Sequence, residues 1–429
     1  MARNDSAPEQ LAQAVEKHGL SALTRKCALL IIDGLGDLPI PELGGKTPLE
    51  AARTPVMNQL ASRGHYGLVD PIIAGEIPNT HSGTGMLLGL PPDQADQLKR
   101  GPVEASGAGH VLRNGEIAMR VNFATLEERD DGLYVIDRRA GRITQGTREL
   151  AELLTDIDLG DGVRGMFRST DQHRGVLILS GPGLDEGVGD TDPKDVSLPA
   201  HLHPCRPLRA EAELTAEKIS RFLEEAHRRL QNHPVNKARE AAGKLPANGL
   251  LTRGAGAWFS FGNSLTRRGI SATVVAGCNT VRGLGRIFGF GTVFDPRFTA
   301  AFDTDLDAKM SAVVAALEDH EMVYLHVKAP DICSHDRQPL AKRDFLERLD
   351  EAMKVLLPTG AIITVAADHT TDSNSGFHAA DPIPALFCLP GASHVEEEIN
   401  FGESACRNGN MERQTSEQFL LRVIQAMGY

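Results

Sequence analysis

The chain has 429 residues, of which 41% are hydrophobic and 24% are charged, a composition typical of a globular protein long enough for two domains. Its formal net charge of −12 argues against a nucleic-acid or anionic-membrane partner, because both require a basic surface. The six cysteines show no C-x-x-C spacing, and residues 1–24 contain no apolar core of the signal-peptide type. These features predict a cytoplasmic protein with reduced thiols.

Residues 1–24 are predicted to be a polar extension with a short amphipathic helix, and a buried strand is predicted over Cys27–Ile32. Asp33 follows this strand directly, and the glycines at 34 and 36 allow a tight turn. Ligands of open α/β sheets bind just past the carboxyl ends of the strands, so Asp33 is a candidate metal ligand. Further along, Thr47-Pro48 predicts the start of a helix.

A loop containing Thr80, His81 and Ser82 precedes the apolar stretch 86–90. A hydroxyl at the start of a helix either caps that helix or acts as a nucleophile stabilised by the helix dipole. The cap is the commoner role. A cluster of metal-type ligands near the C-terminus would stabilise an alkoxide, and this favours the nucleophile.

The composition changes over residues 105–254, where short alternating strands predict a smaller α+β domain. It interrupts a catalytic domain formed by residues 25–104 and 255–429, in which α/β alternation resumes. Arginines in this segment lie in or beside glycine-rich stretches and strand ends: Arg120, Arg138, Arg139, Arg142, Arg174, Arg239 and Arg253. Guanidinium groups bind phosphate and carboxylate in bidentate fashion, so the set predicts an anion pocket, although surface solubility explains about half of such arginines equally well.

Two apolar runs near the C-terminus, Met322–Val327 and 361–366, each end in a cluster of Asp and His. Asp331 and His335 follow the first run, and Asp368, His369 and then His378 follow the second. Oxygen and imidazole donors just past strand ends suit a divalent cation. The alternative is that Asp368-His369 caps a loop and His335 is a surface residue. Two such clusters, with a third histidine nearby, favour a metal site.

Long, ordered segments of the chain resemble a known family. These segments are DGLGDLPIPELGGKTPLEAARTPVMNQLASRG, MRVNFATL, DRRAGRI, GDTDP, HPVN, GKLPANGLLTRGAG, HVKAPDICSHD and ADHTTDSNSGFHAADPIPAL. They are similar to the archaeal-type cofactor-independent phosphoglycerate mutases of the alkaline phosphatase superfamily. The resemblance implies an α/β fold with a doubly wound, alkaline-phosphatase-like catalytic domain and an inserted α+β domain that grips the substrate.

The resemblance also implies roles for individual residues. One divalent ion (Mn²⁺, Mg²⁺ or Zn²⁺) would be held by Asp331, His335 and His378, and a second by Asp33, Asp368, His369 and Thr80. Thr80 would be the nucleophile that takes the phosphoryl group. The substrate would be bound by Asp137, Arg138, Arg139, Arg142, Arg174, Arg253 and His81.

Two departures from the family pattern fall at the reacting centre. The family segment G-S-D-T-A-H is replaced here by Asn79-Thr80-His81-Ser82-Gly83-Thr84. Alignment on the following Leu-Leu-Gly puts Thr80 at the nucleophile and His81 where an acidic residue is expected; Ser82 fits only with a two-residue gap. Arg282, a second catalytic candidate, stands where the family has a lysine.

The sequence therefore predicts a metal-dependent phosphoryl-transfer enzyme of the phosphoglycerate mutase type. It would interconvert 2- and 3-phosphoglycerate, or carry out a related reaction on another phosphorylated or phosphonate metabolite. A phosphohydrolase is the first alternative, and a non-catalytic metal-binding homologue is the least favoured. The expected partner is a small phosphorylated acid, and a homo-oligomer is compatible with the sequence.

Overall fold

A computed structural model describes residues 25–170, 172–194, 196–259, 261–393 and 399–429. The predicted N-terminal extension and its helix lie outside these residues. The chain divides into two compact units: the first ends at Ala95 and resumes at Phe261, and the second comprises the intervening residues 96–260. The divisions expected from the sequence, after residues 104 and 254, lie a few residues away. The second unit begins earlier because the helix Arg100–Gly107 packs against the strand Glu116–Arg129.

The strands, in chain order, are β1 Cys27–Ile32, β2 His65–Asp70, β3 Glu116–Arg129, β4 Gly132–Asp137, β5 Ile157–Asp158, β6 Arg164–Ser169, β7 Arg174–Ser180, β8 Ala200–His201, β9 Gly249–Ala257, β10 Ala272–Val275, β11 Gly291–Val293, β12 Met322–Val327, β13 Ile362–Ala366, β14 Thr370–Asp372, β15 Phe377–Ala379, β16 Ile383–Cys388 and β17 Gln414–Thr415.

The α-helices are α1 Pro48–Ala51, α2 Pro55–Arg63, α3 Thr80–Leu87, α4 Arg100–Gly107, α5 Thr147–Glu152, α6 Glu213–Leu230, α7 Pro234–Ala241, α8 Asn279–Ile287, α9 Leu306–Asp319, α10 Ala329–His335, α11 Pro339–Ala352, α12 Glu403–Arg407 and α13 Ser416–Ala426. Short 3₁₀ helices lie at Pro41–Leu43, Pro92–Gln97, Ala210–Ala212, Thr266–Arg268 and Met353–Thr359. The predicted start at Thr47-Pro48 is confirmed, since Thr47 caps α1 and forms a capping box with Glu50.

The sheet of the first unit has the strand order β11-β10-β12-β1-β13-β16-β2-β17. Its centre is parallel: β1 pairs with β12 on one side and with β13 on the other. All residues of these three strands are buried, which explains their continuous apolar sequences. Because parallel strands end at the same edge of a sheet, the residues that follow β1, β12 and β13 are brought together there.

The second unit contains the sheet β5-β6-β7-β3-β4-β8, and β9 pairs with β3 off this path. The long helix α6 packs its apolar face onto this sheet, and the shared core includes Phe222, Phe123 and Phe167. The rings of Phe123 and Phe167 lie edge to face, with centroids 5.2 Å apart. Antiparallel strands with a helix on one face are the α+β arrangement expected for the inserted segment.

The predicted fold class, an α/β catalytic domain with an inserted α+β domain, is confirmed by this topology. The glycine-rich stretch 280–291 forms helix α8 and the short strand β11. Among the described residues, none of the helices combines the length and the apolar character needed to cross a bilayer.

Candidate active site and metal centre

Three strand ends bring carboxylates to one point of the first unit. Asp33 follows β1, Asp331 lies in α10 after β12, and Asp368 follows β13; all three are at most 1% exposed. Gly34 lies between them with φ of +64°, and its N–H donates to Asp368 Oδ1 at 3.2 Å. A Cβ atom at residue 34 would lie 3.0 Å from the Asp331 Cα, so this close approach requires glycine.

One group of metal-type ligands gathers around Asp331. Its Oδ1 atom lies 3.3 Å from His335 Nε2, 3.6 Å from His378 Nε2 and 4.0 Å from His369 Nε2. Ligands that share a tetrahedral metal with bonds of about 2.1 Å are about 3.4 Å apart. The ligand atoms of Asp331, His369 and His378 all lie within 4.8 Å of one another, so these side chains fit a divalent cation.

The three imidazoles are oriented by hydrogen bonds from their other nitrogen. His335 Nδ1 donates to the carbonyl of Gly376 at 2.7 Å, and His378 Nδ1 donates to the carbonyl of Pro78 at 2.9 Å. His369 Nδ1 lies 2.9 Å from the hydroxyl of Thr371, which donates its own proton to Asp331 Oδ1. Carbonyl oxygens only accept, so Nδ1 carries the proton and Nε2 presents a lone pair in the neutral ring. This is the usual arrangement of metal-binding histidines.

A second group consists of Asp33, His326 and Asp368, whose ligand atoms also lie within 4.8 Å of one another. His326 Nε2 is 3.0 Å from Asp33 Oδ2. Asp33 Oδ1 is buried without a hydrogen bond of good geometry among the described residues, with His369 Nε2 3.2 Å away. A buried carboxylate oxygen in this state suits a cation. His369 therefore borders both groups.

The charges of the site explain the direction of its pKa shifts. Burial would raise the pKa of Asp33, but Lys328, His326 and His369 outweigh it and hold the pKa well below its usual value. Burial would likewise raise the pKa of Asp331, but the charge of Lys328 outweighs it and lowers this pKa. For Asp368, burial and the charge of Asp33 raise the pKa. Three carboxylates therefore compete for a single lysine and a few imidazoles, an imbalance that bound divalent ions would relieve.

Lys328 and His326 were missed by the sequence analysis. Lys328 Nζ lies 2.8 Å from Asp33 Oδ2, 2.7 Å from Asp331 Oδ2 and 3.1 Å from Thr80 Oγ1. His326 occupies the penultimate position of a fully buried strand, where a lone histidine resembles a core residue. The available signal was the proximity of both residues to Asp331 in the segment HVKAPD.

Thr80 and Ser82 have different surroundings. Helix α3 begins at Thr80, and Thr80 Oγ1 lies 3.5 Å from His369 Nε2 in addition to its contact with Lys328. Ser82 instead completes a capping box: Asn79 Oδ1 accepts from the Ser82 N–H, and the Ser82 hydroxyl is 3.1 Å from the Asn79 N–H. Asn79 thus caps the helix, and the Thr80 hydroxyl is next to the ligand groups. His81 is half-buried beside it.

Helix α3 approaches the end of β13 closely at Gly83. A Cβ atom at residue 83 would lie 1.9 Å from the carbonyl oxygen of Asp368. One turn of helix therefore stands directly against the strand end, and Thr84 Oγ1 donates to Asp368 Oδ2 at 3.4 Å. The absence of a side chain at Gly83 sets the distance between Thr80 and the ligands.

We expect Gly83→Ala to lower the free energy of unfolding by about 1–3 kcal/mol, because the added methyl overpacks this contact. Turnover should fall as well, since the helix that carries Thr80 must move. Thermal unfolding and steady-state kinetics measure the two effects. Gly262→Ala is the matched control, because the nearest atom to its new methyl would be 3.6 Å away. Unchanged stability and turnover in Gly83→Ala would contradict the proposed contact.

The second catalytic candidate, Arg282, lies on α8 in the first unit. Its guanidinium stacks over the ring of Phe294, with the Cζ atom 4.1 Å from the ring centroid. Such a cation–π contact fixes the plane of the guanidinium.

Four of the arginines of the second unit lie near His173. Burial, followed by Arg174, Arg139, Arg120 and Arg142 in that order, lowers the pKa of His173 to about 4. Arg139, Arg142 and Arg174 are exposed. Three guanidinium groups open to solvent beside a buried neutral histidine form a region that favours anions.

The other predicted substrate residues have definite partners. Asp137 accepts from the N–H groups of Arg139 and Gly141 at 2.8 and 2.9 Å, so it shapes the loop that carries the arginines. Arg138 forms a bidentate ion pair with the buried carboxylate of Asp192, which commits its guanidinium within the protein.

Arg253 lies opposite Arg120 in the β3–β9 register. Arg120 is 3% exposed, and its nearest carboxylate is Glu104 at 3.6 Å. Burial and the neighbouring arginines lower the pKa of Arg120, and burial lowers that of Arg253. The Nε atoms of both residues make no hydrogen bond to the described residues. Like charges on facing strand positions are unfavourable, so this pair would gain from a bound anion. Arg120 was noted in the sequence as part of the charge pattern but not chosen as a substrate contact.

Comparisons with known proteins identify the family of this chain. The family described as 2,3-bisphosphoglycerate-independent phosphoglycerate mutase matches residues 61–236. A relative from Methanopyrus kandleri with that name is 41% identical over 389 residues, covering 88% of this chain and 91% of the relative. A solved protein from Pyrococcus horikoshii aligns with a TM-score of 0.79 at 28% identity, covering 95% of this chain and 98% of that one.

The cofactor-independent phosphoglycerate mutase of Thermoplasma acidophilum aligns with a TM-score of 0.66 at 32% identity, covering 94% of this chain and all of that one. These similarities extend through both units. They confirm the family and the enzyme class predicted from the sequence: this chain belongs to the 2,3-bisphosphoglycerate-independent phosphoglycerate mutase family.

Proposed function

We propose that this protein is a metal-dependent phosphoglycerate mutase that interconverts 2- and 3-phosphoglycerate through a phosphoryl group on Thr80. The observation that carries the proposal is the position of Thr80 Oγ1, which lies 3.1 Å from Lys328 Nζ and 3.5 Å from His369 Nε2. This places a hydroxyl at the first residue of a helix and next to two groups of metal-type ligands. The relatives that bear the name of this activity support the choice of substrate.

Two divalent ions, Mn²⁺, Mg²⁺ or Zn²⁺, would be held at this site. We assign Asp331, His335 and His378 to the first ion, with His335 included for its 3.3 Å distance to Asp331. Asp33, Asp368, Thr80 and His369 are assigned to the second, although His369 also belongs to the group of Asp331 and His378. His326 is a further candidate ligand, because it belongs to the second group. Bound ions of this kind supply Lewis acidity to the attacking and leaving oxygens.

The arginines of the second unit would hold the substrate. Phosphoglycerate carries a phosphate and a carboxylate, and both are bound well by planar guanidinium groups. Arg139, Arg142, Arg174 and Arg253 are the proposed contacts, since they surround His173 or face Arg120. Asp137 and Arg138 would act on the shape of the loop rather than on the anion, because their hydrogen bonds are made within the protein. His81, next to Thr80, is a further proposed contact with the substrate, and Arg282 is proposed as a second catalytic residue.

The reaction would proceed in two matched transfers. Thr80 loses its hydroxyl proton to water, and Oγ bonds to phosphorus while the ester P–O bond breaks. The released glycerate oxygen takes up a proton. The glycerate then turns, its other hydroxyl gives up a proton and bonds to phosphorus as the Thr80 Oγ–P bond breaks, and Thr80 Oγ takes up a proton. If water reacts before the glycerate turns, the same site is a phosphohydrolase.

The test is to incubate the protein with 3-phosphoglycerate and Mn²⁺ and to measure 2-phosphoglycerate and inorganic phosphate together. The proposal expects 2-phosphoglycerate in excess of phosphate and no turnover after chelation. Phosphate as the main product would favour the phosphohydrolase. Metal binding without any turnover of 3-phosphoglycerate would contradict the proposed substrate, and assays of other phosphorylated and phosphonate acids would follow.

For the substrate arginines, we expect Arg253→Met to raise the KM for 3-phosphoglycerate by about tenfold to a hundredfold, because a charge-assisted hydrogen bond to the substrate is lost. Arg209→Met is the matched control: it removes an exposed arginine of the same unit whose carboxylate partner is Asp185. Steady-state kinetics separate KM from kcat. A KM equal to that of the control would remove Arg253 from the substrate site.

A further inference from the structure

Lys328 connects the two groups of metal-type ligands through one oxygen of each carboxylate. Its Nζ contacts Oδ2 of Asp33 and Oδ2 of Asp331, and it donates to Thr80 Oγ1. An ammonium group has three N–H donors, and these three oxygens are enough to use all of them. The side chain is 18% exposed, so its position is fixed by the protein on most sides.

The Oδ1 atom of each carboxylate also lies near an imidazole nitrogen, while Asp33 Oδ2 contacts His326 Nε2 at 3.0 Å in addition to Lys328. Asp33 Oδ1 lies 3.2 Å from His369 Nε2, and Asp331 Oδ1 lies 3.3 Å from His335 Nε2. Each carboxylate can therefore bind a metal ion through Oδ1 and the lysine through Oδ2 at the same time. Lys328 can remain in position while both groups hold ions.

We propose that Lys328 is a catalytic residue, a fixed third cation that contacts the attacking oxygen of Thr80 and opposes the divalent ions electrostatically. The inference rests on the proposed function and adds a residue that the family resemblance did not assign. The ammonium hydrogen bond orients the Thr80 oxygen and stabilises negative charge on it during phosphoryl transfer. The same positive charge repels ions that bind Asp33 and Asp331, so it weakens their binding.

This double role predicts opposite effects on binding and on catalysis. Removing the charge of Lys328 should strengthen Mn²⁺ binding by at least about tenfold, because a unit charge a few ångströms from a divalent ion is removed. Turnover should nevertheless fall by at least about a hundredfold, because a preorganised donor to the reacting oxygen is lost. A lysine that only supported the fold would move both quantities in the same direction.

The experiment compares Lys328→Met and Lys328→Gln with the wild type and with Lys354→Met, whose exposed lysine pairs with Glu351. Calorimetric titration of chelator-treated protein with Mn²⁺ gives the affinity. Thermal unfolding with and without Mn²⁺ gives the same comparison independently, and the Mn²⁺-induced rise in Tm should be larger in both Lys328 variants. Lys328→Gln keeps a donor without the charge, so it should bind Mn²⁺ as tightly as Lys328→Met while recovering part of kcat.

The outcomes separate this inference from the proposed function. Unchanged or weaker Mn²⁺ binding in both Lys328 variants, or unchanged kcat, overturns the role of Lys328 while the wild-type activity stands. If the wild type turns over a different phosphorylated acid, the proposed substrate is overturned. The role of Lys328 is then supported if its variants bind Mn²⁺ more tightly and have a lower kcat on that acid. If the wild type binds no Mn²⁺, the metal-dependent function and the role of Lys328 both fail.

Discussion

Thr80→Ala is expected to lower turnover of 3-phosphoglycerate by at least about a thousandfold and to abolish the phosphoryl-enzyme, because loss of a nucleophile removes the covalent step altogether. The reason is specific to position: Thr80 Oγ1 contacts Lys328 and lies 3.5 Å from His369, whereas the Ser82 hydroxyl is bonded to the backbone of Asn79. The measurement is a quench with labelled substrate, followed by mapping of the phosphorylated residue and steady-state kinetics.

Ser82→Ala is the matched control, since it removes a hydroxyl two residues away in the same turn. It should cost about 0.5–1.5 kcal/mol of stability through the lost hydrogen bond of the capping box, and it should keep the phosphoryl-enzyme. The assignment of Thr80 is wrong if Thr80→Ala stays active and the label is found on Ser82.

The second large effect is expected for Asp331→Asn. This carboxylate is 1% exposed and supplies the oxygen around which His335, His369 and His378 gather. Replacing it with a neutral amide should reduce the bound Mn²⁺ from two ions per chain to one and lower turnover by at least about a hundredfold. Metal analysis of the dialysed protein gives the stoichiometry directly.

Asp336→Asn is the control for Asp331→Asn, because it removes the same charge from an exposed position just past the end of the same helix. It should keep two Mn²⁺ ions and wild-type turnover. Two tightly bound ions in Asp331→Asn would show that the carboxylate is not a ligand. Comparison of the two thermal unfolding curves would separate lost metal from lost folding.

The central sheet and its ligand edge could be predicted because they follow from local pattern. The strands Cys27–Ile32 and Met322–Val327 have the predicted bounds, and the carboxylates that follow them meet because parallel strands end at the same edge. Their function was inferred from the residue types. His326 and Lys328, the further residues of the site, were not predictable in this way, since their contacts depend on how three strand ends converge.

Lys328 is an example of a residue whose role depends on the tertiary structure and not on local pattern. In the sequence it is a lysine beside a strand end, which is usually solvated, and its contacts come from residues 33, 80 and 331.

Thr80 shows another limit of prediction from the sequence. Asn79, Thr80 and Ser82 are all good helix-capping residues, so the sequence alone leaves the cap unassigned. The structure gives that role to Asn79, with Ser82 reciprocating, and this leaves the hydroxyl of Thr80 available for chemistry.

The hydrogen bond from His378 to the carbonyl of Pro78 links two parts of the chain 300 residues apart. Pro78 lies two residues before Thr80, so the loop that leads to the proposed nucleophile also orients a proposed metal ligand. An insertion or deletion in this loop would move the carbonyl of Pro78, and it would therefore change the orientation of the His378 imidazole as well as the position of the Thr80 hydroxyl. We therefore expect metal preference and the position of the Thr80 hydroxyl to change together, and a loop grafted from a relative should carry over that relative's ion selectivity along with its nucleophile.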